Sequence, residues 1–402
     1  MTSASRTINR PQAPVASRWM LPVICTAAFL VFAQAFMVAP LFPSLVQALH
    51  SPIGWVGLAV PAYLLSQGLA TLVGGPLSDR LGRRTVILGS LLLFTVFTLA
   101  TASATSIDAF LAWRIAAGVS AAGVVPISLT LIGDVVPFRQ RGRALGWLFG
   151  SIAGGTATGA TVGALMEPVI GWAGLFLLVA ALSAAVVVVA VGMRAFPRLA
   201  QPVAPAWSVV MRDYIALLSL TRAQRTYAYV LINALVQSGV YTWLGIYLHQ
   251  RFGLGEAGIG LALMGYGIPG LLFGPMIGRL ADRHGRARII PAGVALTGVC
   301  ALLLAGSLPL VAVQLAIIAL SLGFDLTQPL LAGIVTDLQG NRAQAVGLMA
   351  FTLFIGFGLG SLLFQWALTL GFTAALVTFG GAALLAAGVA LALFRTERPS
   401  AP

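Results

Sequence analysis

Gly75-Pro76-Leu77-Ser78-Asp79-Arg80-Leu81-Gly82-Arg83-Arg84 is a short, strongly polar stretch wedged between two apolar segments of helix-spanning length. At an offset of 203 residues the chain reads Gly278-Arg279-Leu280-Ala281-Asp282-Arg283-His284-Gly285-Arg286, with Gly, Asp, Arg, Gly and Arg in the same register. The offset is kept further along: Pro126 matches Pro329, Asp134 matches Asp337 and Arg139 matches Arg342. Two copies half a chain apart indicate a duplicated bundle.

Composition says what surrounds that bundle. Hydrophobic residues make up 59% of the chain and charged ones 8%, against about a quarter charged in soluble domains. Too few polar side chains are available to coat a water-facing surface, so most of the protein must face lipid. All 23 basic residues are Arg, and the formal charge is +13. They fall in short clusters between apolar runs rather than on one continuous basic face, which argues against nucleic-acid binding. Cys25 and Cys300 lie inside separate apolar segments and imply neither a disulfide framework nor a metal site.

Outward from the polar stretch, apolar runs long enough to cross about 30 Å of hydrocarbon fall near 20–45, 55–76, 85–103, 107–133, 144–165 and 172–193. A second set falls near 226–248, 257–277, 289–308, 311–335, 345–370 and 373–394. The expected architecture is therefore all-α, with twelve transmembrane helices in two parallel six-helix repeats. The expected units are an N-terminal tail over 1–19, a six-helix bundle over 20–193, a linker over 194–225, a second bundle over 226–394 and a tail over 395–402. Within the linker, 207–220 is apolar with polar interruptions, as in a helix lying on a membrane surface. With the N-terminus inside, 21 of the 23 arginines fall on the cytoplasmic side. The positive-inside rule then places both termini in the cytoplasm. A parallel duplication puts a substrate path between the halves near the bilayer midplane.

The Gly-x-x-x-Asp-Arg-x-Gly-Arg-Arg loop and its second copy resemble the signature of the major facilitator superfamily, and the resemblance covers about 20–394. Arg114, Gly118, Gly123 and Pro126, followed by Asp134, Pro137, Arg141 and Gly142, resemble a second pattern of that family. Gly171-Trp172 with Phe176 resembles its drug/proton antiporter branch. The fifth helix matches in part: Gly146, Gly155, Gly159 and Gly163 keep the antiporter register, while Ala160 and Ala164 replace a Pro and a Gly. The resemblance implies alternating access, with the first, fourth, seventh and tenth helices around the cavity. It also implies a gating role for Gly75, Asp79, Arg80, Gly82, Arg83 and Arg84, and for Gly278, Asp282, Arg283, Gly285 and Arg286. In that reading Asp79 meets the positive end of the eleventh helix, near 343–346, and Asp282 mirrors it at the fifth.

Two ionisable residues sit inside apolar segments, where an ion costs about 2.5–3.5 kcal/mol on insertion scales. Asp325, in Ser321-Leu-Gly-Phe-Asp325-Leu-Thr-Gln328-Pro329, is the first candidate for proton coupling, and Arg114 the second. Pro329 cannot donate to the carbonyl of Asp325 itself. A structural Asp satisfied by Thr327, Gln328 or a neighbouring helix is the competing reading. For Arg114 the competing reading is snorkelling outward. Gln34, Phe36, Gln237, Tyr241, Tyr266 and Gln328 are candidates for the substrate cavity, with Gln67, Asn233 and Trp243 as further polar or aromatic positions at depth. Gly155, Gly159 and Gly163 share a helix face suited to close helix packing.

No Walker loop, HExxH pair or nucleophile elbow is present. The expectation is not an enzyme but a secondary transporter with no cofactor, driven by the proton gradient. Proton-coupled efflux of small apolar or amphipathic organic compounds, as in a multidrug antiporter, is the leading reading. Proton-coupled uptake, or transport of a sugar or amino-acid derivative, is the alternative. A lipid-moving or non-transporting derivative of the fold is the second. The expected setting is a monomer in the bacterial inner membrane, with a small-molecule substrate, protons and the lipid bilayer as its partners.

Overall fold

The computed structural model describes residues 17–197, 206–270, 276, 285–339 and 342–397. Among these residues every regular element is a helix. Ten helical stretches among the described residues are long and apolar enough to cross a membrane. One of them is double: Phe138–Gly192 is interrupted at Gly171 (φ 67°), where two helices meet. The sequence suggested a loop of several residues there. A single glycine suffices, because only a residue without Cβ takes that left-handed conformation freely. The eighth crossing begins with Glu256–Leu263 and Met264–Gly267. Residues 271–275 and 277–284, which include Gly278, Asp282 and Arg283, lie outside the described residues, as do most of both tails and 198–205 of the linker.

Several crossings are broken, and the breaks follow from sequence. The first runs as Met20–Phe36, a 3-10 turn Ala39–Leu41 and Phe42–Ala48. Pro40 and Pro43 occupy the break, where their missing N–H groups leave carbonyls without helical donors. The fourth crossing is Ile107–Ala121 followed by Val125–Val135, with Pro126 starting the second piece. The seventh, Thr221–Phe252, starts earlier than apolarity alone suggests because its first turns carry Arg222 and Arg225. Trp207–Leu218 forms the linker helix. It buries Val210, Tyr214 and Leu217 and exposes Trp207, Met211, Ile215 and Leu218.

The hinge is duplicated in conformation as well as in sequence. Gly82 (φ 85°) and Gly285 (φ 80°) take the same backbone turn at the ends of equivalent crossings. Arg83 then pairs with Asp134, and Arg286 pairs with Asp337 at 2.8 Å. Both partners are the 203-residue equivalents of one another. Each pair ties the loop after an even crossing to the end of the next even one.

Close packing inside each half depends on glycine. A Cβ on Gly155 or Gly159 would lie 2.3 or 2.4 Å from the carbonyl oxygens of Phe29 and Ala33, so the fifth crossing lies directly on the first. Gly163 faces Met37 at 3.1 Å, whereas Gly146 and Gly150 face open space. Between the halves, the second crossing (Ala59–Leu81) packs on the eleventh (Arg342–Ala367), with Gly68 against Phe354 and Ile355 and Gly358 against Leu65. The fifth packs on the eighth, with Gly260 against Thr161 and Ala164 and Gly267 against Ala157. Large apolar side chains such as Leu92, Leu99, Val188, Leu315 and Leu385 are exposed on the outside. An apolar exterior of this kind is stable in lipid and not in water.

Candidate functional site

Polar side chains at mid-depth converge in the C-terminal half. Asp325 lies near the middle of Leu310–Thr336. It accepts a hydrogen bond from Ser321 Oγ at 3.3 Å. Its carboxylate also rests against the backbone of Gly270 in the eighth crossing, where a Cβ would approach Oδ2 to 2.9 Å. The glycine is what lets helix and carboxylate meet. No arginine or histidine among the described residues pairs with Asp325.

Beside it, Gln237 Nε2 donates to Tyr266 Oη. The Tyr266 ring lies over that of Tyr241, with centroids 3.8 Å apart. Gln237 and Tyr241 are one turn apart on the seventh crossing and share a face. One turn towards the termini, Asn233 Nδ2 donates to Thr327 Oγ1 at 2.5 Å, so Thr327 serves Asn233 and not Asp325. Gln237 Oε1, Tyr241 Oη and both amide atoms of Gln328 are buried without a hydrogen-bond partner.

The N-terminal half closes over this cluster with aromatic rings. Phe36 lies 5.9 Å from Tyr241 and 5.9 Å from Phe357, and Phe32 lies 6.0 Å from Phe354. Phe324, next to Asp325, lies 5.8 Å from Phe357. Such pairs add about 0.5–1.5 kcal/mol each beyond area burial. The two halves therefore adhere here through contacts that are individually modest. Phe36, Gln237, Tyr241, Tyr266 and Asp325 are thus brought together, with Gln328 one turn from Asp325. Phe32, Phe324, Phe354 and Phe357 were missed in the sequence, where a phenylalanine in an apolar run carries no signal of its own.

Gln34 and Arg114 belong elsewhere. Arg114 is fully buried and does not reach outward. Its Nη1 donates to Gln34 Oε1 at 2.9 Å and to Gln34 O at 3.3 Å, and its Nε donates to Ala59 O at 3.1 Å. Its guanidinium carbon stands 4.4 Å from the Tyr63 ring centre. The accepting carbonyls sit at the end of Met20–Phe36 and the start of Ala59–Leu81. A cation there is offset by carbonyl dipoles and a ring face rather than by a carboxylate. Gln34 and Phe36, two residues apart, point to different sides of their helix. Gln67 is also buried, and its Nε2 has no partner.

At the end of the bundle that carries the termini, Asp79 stands 3.8 Å from Arg83, which also donates to Thr130 O at 3.2 Å. Arg80 lies over the Trp207 ring at 4.7 Å, linking the hinge to the linker helix. Gly75 has open space where a side chain would be, and Arg84 is half-buried. Near the start of the eleventh crossing, Tyr227 Oη donates to Ala345 O at 3.0 Å. A second network went unread in the sequence. Glu397, after the last crossing, accepts from Arg222 at 2.7 and 2.8 Å and pairs with Arg225. Hydrogen bonds and charge from these arginines hold the Glu397 carboxyl below its usual range. The available signal was a single acid in a tail that follows an arginine-rich linker.

At the opposite end the halves are in contact. Gln365 Nε2 donates to Gly54 O at 2.7 Å, Ser44 Oγ donates to Glu256 at 3.3 Å, and Trp243 packs 5.5 Å from Phe42 and tightly against Gly57.

The Major Facilitator Superfamily profile matches residues 24–259 and 226–402. A chloramphenicol resistance protein of Streptomyces lividans is 28% identical over 348 residues, covering 84% of this chain and 86% of the relative. An uncharacterized MFS-type transporter of Bacillus subtilis, YceJ, is 29% identical over 274 residues, or 67% and 68% of the two chains. The crystal structure of the human organic anion transporter MFSD10 superposes with a TM-score of 0.71 at 19% identity, covering 95% of this chain and all of that one. That likeness extends to the fold. With the profile matching both halves of an all-helical, duplicated bundle, the chain belongs to the Major Facilitator Superfamily.

Proposed function

We propose that this transporter couples proton movement to the export of small apolar or amphipathic organic compounds by alternating access. The observation that carries the reading is Asp325: a carboxylate at mid-depth, unpaired with any described cation, beside an aromatic cluster shared by both halves. An ion in that position is costly, so a proton is the natural occupant while the site is closed, and opening to water favours its release. Arg114 is a secondary candidate for coupling through the first crossing. The relative named for chloramphenicol resistance supports export over uptake. The arginine distribution supports an inner-membrane protein with both termini in the cytoplasm. In that orientation the contacts of Ser44, Gly54 and Gln365 close the periplasmic end. The protein works as a monomer, with the proton gradient in place of a cofactor.

The test is transport in proteoliposomes with an imposed pH gradient and an internal pH dye, comparing the intact protein with Asp325→Asn. Substrate-dependent proton flux that vanishes in the variant supports the assignment. Flux that persists in the variant moves coupling away from Asp325, and Arg114 is then tested the same way.

A further inference from the structure

The linker helix Trp207–Leu218 carries an apolar stripe that the bundle does not cover. At about 100° per residue, its side chains fall on three faces. Val210, Tyr214 and Leu217 are buried against the protein. Trp207, Met211, Ile215 and Leu218 form the next face, where Met211 and Ile215 are 56% and 61% exposed. Ser208, Arg212 and Ala216 follow and are exposed as well. Arg212 therefore borders the stripe, whereas Asp213 lies on the far edge, beside the buried face. Four large apolar side chains gathered on one open face are unfavourable in water. They suit a helix lying at headgroup level, with its cation at the lipid edge and a Trp at its start.

The position of the helix points to the same occupant. On the second crossing Leu69, Val73, Leu77 and Leu81 recur every fourth residue and are all exposed, a lipid-facing stripe that runs to the end of the crossing. Arg80 falls on the same side of that helix, and its guanidinium carbon lies over the Trp207 ring at 4.7 Å. The apolar face of the linker helix thus starts where the lipid-facing stripe ends. The helix also touches the other half, where Tyr214 Oη stands 3.6 Å from the place of a Cβ on Gly347 of the eleventh crossing. We propose that the linker helix is seated in the leaflet on the side of the termini, with its apolar stripe among the acyl chains and Arg212 on an anionic lipid headgroup. The occupant is the bilayer itself, continuous with the lipid along the second crossing. Through Trp207 and Arg80 that lipid bears on the hinge. The assignment is independent of substrate, direction of transport and proton coupling.

Fluorescence quenching in nanodiscs tests the seat. Bimane is attached to the full chain at Met211→Cys or Ala216→Cys, and the unsubstituted chain, which has only Cys25 and Cys300, supplies the blank. In equal parts phosphatidylcholine and phosphatidylglycerol, the label at 211 is expected to be quenched by brominated acyl chains and not by aqueous iodide. The label at 216 is expected to show the reverse. Brominating one lipid at a time reads their relative affinity, and phosphatidylglycerol is expected to be preferred about fivefold at 211, the effect of one basic residue at an anionic surface. Arg212→Gln should lose that preference with an unchanged unfolding midpoint, and inorganic phosphate at constant ionic strength should not compete for it. Amide exchange over 79–83 should slow when phosphatidylglycerol replaces part of the phosphatidylcholine, and should not respond in Arg212→Gln. Iodide quenching at 211 equal to that at 216 overturns the proposal, since the stripe then faces water. Shielding of 211 from both quenchers also overturns it, because protein, a second copy included, then covers the face. A preference that survives Arg212→Gln, or that inorganic phosphate erases, overturns the headgroup assignment. Exchange over 79–83 that ignores the lipid overturns the link to the hinge.

Discussion

Two ionisable side chains inside the bundle meet very different fates, and each fate follows from what the backbone offers nearby. Arg114 donates to Gln34 O near the interruption of the first crossing and to Ala59 O in the first turn of Ala59–Leu81. Hydrogen bonds to a charged group are worth about 1.5–3 kcal/mol each. Arg114→Met should therefore destabilise the protein by on the order of 3 kcal/mol, read as a lowered unfolding midpoint in detergent. Arg114→Lys should recover only part of it, because an ammonium cannot reach Gln34 and Ala59 in the same forked geometry. An unchanged midpoint in the methionine variant would show that the carbonyls find other donors. Asp325 has no such carbonyl cage to oppose, and Asp325→Asn should leave the midpoint within about 1 kcal/mol while ending coupled flux. Both residues were visible in the sequence as charges within apolar runs. Their partners were not, because Gln34 O, Ala59 O and the Gly270 backbone become neighbours only when broken helices pack.

Among the helices, glycine positions decide where crossings touch, and here sequence spacing was informative. Gly155, Gly159 and Gly163 fall on one face, and that face lies on the first crossing through Phe29, Ala33 and Met37. Gly146 and Gly150 share the spacing but meet open space; periodicity alone could not tell a contact face from a free one. Gly159→Val should force the first and fifth crossings apart and cost about 1–3 kcal/mol, whereas Gly146→Ala should be neutral or slightly stabilising in a helix interior. Equal losses in thermal unfolding for both variants would contradict this packing. The C-terminal clamp is also an element-scale device, since Glu397 joins the start of the seventh crossing to the end of the twelfth. Its carboxyl titrates below the usual 4.5 in the folded chain. The stabilisation is thus full above pH 4.5 and fades as pH falls through the lower folded value. Amide exchange in 394–397 should be flat from pH 8 to 6 after correction for intrinsic rates, and should rise below pH 4.5. Glu397→Gln should raise it at every pH.

At the scale of the molecule, the 203-residue repeat accounts for the legibility of the fold. It predicts two equivalent halves, and the Arg83–Asp134 and Arg286–Asp337 pairs with their positive-φ glycines make the same joint twice. The pairs of crossings that meet between the halves repeat as well, second on eleventh and fifth on eighth, while the side chains that meet along these seams do not follow from the repeat. Joining two stiff bodies through aromatic pairs of about 1 kcal/mol each and a few hydrogen bonds lets them part without either half unfolding. Alternating access requires that parting at the end where Ser44 meets Glu256 and Gln365 meets Gly54. Ser44→Cys combined with Glu256→Cys places two thiols in reach of a short bifunctional methanethiosulfonate. Cross-linking should abolish transport, and reduction should restore it, while each single variant stays active despite the native Cys25 and Cys300. Transport that continues in the fully cross-linked double variant would mean that this end never opens, and that the substrate passes by some route other than the seam between the halves.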